Sequence, residues 1–75
     1  MIKNTDNKKQ VLVERFNEYK FNGGEEPATL KGYVERAAEN DPYFFGWMFD
    51  DGYIESYSDL TEEQMQEYNQ FINNL

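Results

Sequence analysis

Seventy-five residues give room for one small domain over 1–75, and 7 Lys plus Arg set against 15 Asp plus Glu give a formal charge of -8. With neither cysteine nor histidine in the chain, disulfides, thiolate zinc sites and cysteine nucleophiles are excluded. The commonest metal ligand and the commonest neutral-pH general base are lost as well. Nucleic acid and anionic membrane surfaces are poor partners for such a charge, because affinity for phosphate rests on Lys and Arg.

Aromatic residues are 17% of the sequence, which argues against a disordered acidic chain. A domain this short buries only about 60% of the surface its unfolded form exposes, so a few large rings must supply most of its core. No apolar run approaches a spanning helix, and Met1 to Gln10 is too polar for a signal peptide, so the expected location is the cytoplasm. The charge is divided unevenly. Residues 1–37 hold every Lys and Arg and sum to +1, whereas residues 38–75 hold nine acids and no cation.

In chain order, Asp6 is expected to cap a first helix whose Leu12, Phe16 and Tyr19 recur on one face, with Val11 and Val13 beside them. Gly23 and Gly24 end it, since glycine enters the left-handed conformation of a helix terminus without steric cost. A second helix follows Pro27, capped by Thr29, and carries Leu30, Tyr33, Val34, Ala37 and Ala38 on one side. Asp41 and Pro42 then stop the chain and restart it, with Asp41 as N-cap.

The segment Tyr43 to Phe49 packs five aromatics and Met48 into seven residues. It reads as a short buried helix, with Phe44, Phe45 and Met48 assigned to the core. The alternative is a hairpin turning at Asp51-Gly52 with Tyr53 to Tyr57 as the second strand. Gly46 weakens both readings. In the last helix Thr61 and Gln64 form a capping box, Leu60 and Met65 a hydrophobic staple, and Glu62 and Glu63 complement the helix dipole. Met65, Tyr68, Ile72 and Leu75 continue as an apolar stripe. The expected fold is thus all-α, a compact bundle of three to four short helices, with a small α+β hairpin domain as the alternative.

Candidate chemistry is sparse. Asp50, Asp51, Glu55 and Asp59 could offer oxygens to a hard cation, but placing Gly52 on the invariant glycine of an EF-hand loop puts Trp47 and Phe49 at ligand positions and Ser58 where the bidentate Glu belongs. A solvated acidic turn is the better reading, and no metal is expected. Ser56 and Ser58 lack a histidine to activate them, nothing marks Lys20 or Lys31 as a nucleophile, and Glu25 and Glu26 after the glycine pair would repel a phosphate. No catalytic residue and no cofactor is expected.

A protein partner with a basic, partly apolar surface is expected instead. The residues assigned to it are the aromatics Trp47, Tyr53 and Tyr57 and the acids Asp50, Asp51 and Glu55, because aromatics dominate interface hot spots. The alternative function is mimicry of nucleic acid, the uncompensated back half occupying the basic groove of a DNA-binding or DNA-modifying protein. Small acidic inhibitors of phages and mobile elements act this way, an analogy of charge and size. A homodimer that buries exposed aromatics is a third reading, opposed by like charge on both copies.

Overall fold

A computed structural model describes Ile2 and residues 4–75. Among the described residues the chain is all-helical: α1 (Thr5–Phe21), α2 (Leu30–Asn40), α3 (Phe44–Phe49) and α4 (Glu62–Asn73), with a 3-10 turn at Tyr57–Asp59 and no strand. The hairpin alternative is not formed. Tyr43 to Phe49 closes as a helical turn instead, because the Asp41 carboxylate accepts the Tyr43 N–H at 2.9 Å and Trp47 N–H reaches the Tyr43 carbonyl, also at 2.9 Å. No helix among these residues is long and apolar enough to cross a membrane.

The helix boundaries follow local chemistry. Thr29 Oγ1 accepts the Gly32 N–H at 3.1 Å, and Thr61 and Gln64 exchange both bonds of a capping box at 3.1 and 3.0 Å. Gly23, at φ +95, terminates α1. Gly24 has a different reason to be glycine, since a Cβ there would collide with the Tyr19 ring. Two cap expectations are corrected: Asp41 closes the C-terminus of α2 while Tyr43 stands at the N-cap of α3, and α1 starts from Asn4, with Asp6 inside its first turn. There its charge complements the helix dipole rather than capping the end.

Helix α2 packs against α1, α3 and α4, and its Val34 is fully enclosed. Around it close Leu12 of α1, Phe44, Phe45, Met48 and Phe49 of α3, Ile54 and Leu60 from the connecting segment, and Tyr68, Phe71 and Ile72 of α4. The rings set the geometry of this core. Phe45 and Tyr68 meet edge-on with centroids 5.0 Å apart and Phe44 meets Phe45 at 5.3 Å, while outside the core Phe16 and Tyr19 each meet Tyr33 at 5.5 Å. Such tilted and edge-on pairs satisfy the ring quadrupoles and add to the area term.

Lys8 is a core residue that hydropathy does not reveal. It is 6% exposed and lies one turn before Leu12 on the same face of α1. Its ammonium donates to the Met48 carbonyl at 2.6 Å and to Asp50 Oδ2 at 3.2 Å. A lysine is buried this deeply only when it is paired.

Candidate functional site

The segment after α3 is shaped by backbone contacts. Asp50 takes a left-handed conformation at φ 54 and ends the helix. Asp51 N–H then returns to the Gly46 carbonyl at 2.9 Å, and Ile54 N–H to the Asp51 carbonyl at 3.2 Å. This lays residues 51–54 directly on α3, and a Cβ at Gly46 would stand 3.0 Å from the Asp51 carbonyl and 3.2 Å from that of Ile54. With Ile54 anchored in the core, the side chains of Asp51, Tyr53 and Glu55 are directed outward and exposed. Asp51 Oδ1 accepts the Tyr53 N–H at 3.0 Å, and Asp59 Oδ2 accepts the Glu55 and Ser56 N–H groups at 3.1 Å each.

The six residues assigned to a partner surface divide among three neighbourhoods. Asp51, Tyr53 and Glu55 share the exposed loop, where Tyr53 is 95% exposed and neither acid has an ion-pair partner among the described residues. Trp47 and Asp50 face α1. Lys8 Nζ and Arg15 Cζ each lie 5.8 Å from the Trp47 ring centroid, a cation–π arrangement, while Asp50 pairs with Lys8. Tyr57 turns the other way, 5.8 Å from Tyr68 and 6.1 Å from Phe45.

Tyr57 borders a groove of about 530 Å³ between α2 and the middle of α4, lined by Glu35, Ala38, Glu39, Phe45, Ser56, Tyr57, Ser58 and Tyr68. Tyr68 forms its floor at 8% exposure, and its hydroxyl makes no hydrogen bond among the described residues. Burial first, then the carboxylates of Glu35 and Glu39 and the neighbouring Tyr57, push its phenol from 10.0 up to about 12. The sequence carries one signal for this groove, two glutamates four residues apart near the C-terminus of α2.

Among the described residues no group of three acids converges in a way that could hold a metal ion. The acids of the 50–59 segment are instead bonded to Lys8 or to backbone N–H groups, or lie in the open. No family model, no curated protein and no solved structure matches the chain.

Proposed function

We propose that this chain is a non-enzymatic protein-interaction module that receives a basic, partly apolar partner surface on the loop Asp51 to Glu55. One observation carries the reading: Tyr53 stands almost wholly exposed between Asp51 and Glu55, both uncompensated, on a loop held in place by Ile54. An aromatic rimmed by acids gains from a cationic partner twice, through the ring face and through the carboxylates. Trp47 and Asp50 support the loop from behind, because Lys8 and Arg15 already occupy them.

The test is affinity capture from a cell lysate with the wild-type chain and an Asp51→Lys/Glu55→Lys variant, washed at rising salt. The wild type retains a basic protein that elutes as ionic strength climbs, and the variant releases it. Equal retention by both overturns the reading. Nucleic-acid mimicry makes a further demand, that duplex DNA displace this chain from the captured protein.

A further inference from the structure

We infer that the exposed loop docks on a second copy of this chain: Tyr53 of one copy enters a groove between α1 and α2 of another, where the flanking carboxylates meet Arg36. The inference rests on the loop reading above and names its partner.

This groove encloses about 350 Å³ and is walled by Tyr19 of α1, Pro27 of the connecting segment and Tyr33 of α2, with Arg36 and Asp41 also on its lining. Its size is that of a small-ligand cleft, ample for one side-chain ring. The three rings are half-buried and none belongs to the core around Val34. They form a second apolar surface, held in shape by the Tyr19 hydroxyl, which donates to the Glu26 carbonyl, and by the Tyr19 and Tyr33 rings, whose centroids stand 5.5 Å apart.

Arg36 gives the groove its charge. Acids outnumber bases in this chain by 15 to 7, yet Arg36 has no ion-pair partner among the described residues. Its contact with the Glu26 carbonyl is long, at 3.4 Å, and a guanidinium carries five donors in a planar fork. Asp41, the carboxylate on the lining, is already engaged, since its Oδ1 accepts the Tyr43 N–H at 2.9 Å. The groove is therefore aromatic with one open cation, and it fits an aromatic side chain flanked by acids.

The loop Asp51 to Glu55 is that segment. Tyr53 is 95% exposed between two carboxylates without ion-pair partners among the described residues. Within one copy loop and groove stay apart, because Asp41 precedes α3 and the loop follows it, tied to α3 by the Asp51 to Gly46 bond and by buried Ile54. Between copies, ring meets rings and carboxylate meets guanidinium, the pair that arginine makes bidentately. An aromatic anchor seated in a pocket is the usual centre of a protein interface. The net charge of -8 on each copy does not forbid the contact. At about 0.15 M salt, charges more than about 8 Å apart are largely screened, and the charges that touch are unlike.

The experiment is a concentration series of the whole chain at about 0.15 M salt, followed by sedimentation velocity and amide NMR up to about 1 mM, the weak end of specific association. The sedimentation coefficient is expected to rise with concentration. The shifts are expected at two separate places, Asp51 to Glu55 and the groove residues Tyr19, Tyr33 and Arg36. Tyr53→Ser and Arg36→Glu each weaken self-association by about tenfold or more, as loss of an anchor does. Asp51→Lys/Glu55→Lys abolishes it as well, and all four positions are exposed, so the fold is retained. An equimolar mixture of Arg36→Glu with Asp51→Lys/Glu55→Lys restores association, because the lysine loop then faces the glutamate groove while the remaining loop and groove are native. A constant sedimentation coefficient, concentration-dependent shifts away from these two places, or a mixture that stays monomeric overturns the inference. A wild-type chain that stays monomeric yet retains a lysate protein through Asp51 and Glu55 removes this inference and leaves the loop reading standing.

Discussion

Lys8 donates to the backbone carbonyl of Met48 at 2.6 Å, a bond that joins α1 to the last turn of α3 across forty positions of sequence. The same ammonium reaches Asp50, but the two acceptors are unequal. Met48 is buried, whereas the Asp50 side chain is 53% exposed and remains open to water when the lysine is gone.

Lys8→Met keeps the apolar stem and removes the donor, leaving the Met48 carbonyl without its partner. An unsatisfied buried acceptor costs about 1–3 kcal/mol, and urea unfolding followed by Trp47 emission reads it directly. Asp50→Asn removes only a half-exposed partner and costs less than about 1 kcal/mol. If the two variants are equally destabilised, the Met48 bond is not the dominant interaction. The same logic excludes Asp50→Lys as a clean probe of partner binding, since it sets a second cation beside a buried one.

Gly46→Ala places a methyl group against the backbone carbonyls of Asp51 and Ile54, the first of which also accepts the Ile54 N–H. In an open helix this change is worth up to about 1 kcal/mol of added stability. Here overpacking opposes it, at a typical cost of about 1–3 kcal/mol. A net destabilisation is expected, with a lowered thermal midpoint, and a raised midpoint would mean that the 51–54 loop does not lie on α3.

Much of this architecture was legible because its signals are local. Thr29, Gly23 and the Thr61–Gln64 pair each fix a helix end within four residues, and the structure places the ends there. Burial of Phe44, Phe45 and Met48 follows from density of apolar groups alone. The exceptions involve partners far apart in sequence. Lys8 counts as solvent-facing until Met48 is brought to it. Phe71 is a local exception: it is no member of the stripe Met65, Tyr68, Ile72 and Leu75, yet it is buried with Tyr68 and Ile72. The proposed partner residues are close along the chain, but the chain turns back after α3, so Trp47 meets Lys8 and Arg15 while Tyr57 meets Phe45 and Tyr68. The groove joins residues 35–39 to residue 68, and linear reading does not pair them.

Tyr68 makes the protein sensitive to alkali in a specific window. Its folded pKa, about 12, lies above the ordinary 10.0. The neutral phenol is therefore favoured by folding. This contribution is fully present below the unfolded pKa and is lost as pH rises through the folded one, between about 10 and about 12. The loss is at most about 2–3 kcal/mol and is reduced by water reaching the hydroxyl. Urea midpoints of the wild type are expected to fall more steeply across that window than those of Tyr68→Phe, which has no phenol to ionise. Absorbance at alkaline pH should show a late phenol ionisation that disappears in the variant. Parallel stability curves for the two proteins would contradict the assignment.

The end of α4 is part of the core and not a frayed tail. Ile72 is buried, Leu75 packs against the same cluster, and the Leu75 N–H donates to the Ile72 carbonyl at 3.1 Å. Asn74 adds a side-chain bond to the Gln70 carbonyl at 2.9 Å, which closes the last turn. Deleting residues 72–75 removes a buried isoleucine, and truncating such a side chain to alanine already costs about 2–5 kcal/mol. Against a typical total of about 5–15 kcal/mol, a small domain keeps little margin after that loss. Circular dichroism melting is expected to give a broad, much lowered transition for the truncated chain, with Ile72→Ala intermediate. Removing Leu75 alone costs less, because its side chain is only half-buried. If the truncated chain melts within a few degrees of the intact one, at about 4–8 °C per kcal/mol for a domain of this size, then α4 is held by Tyr68 and Phe71 and its last turn contributes nothing.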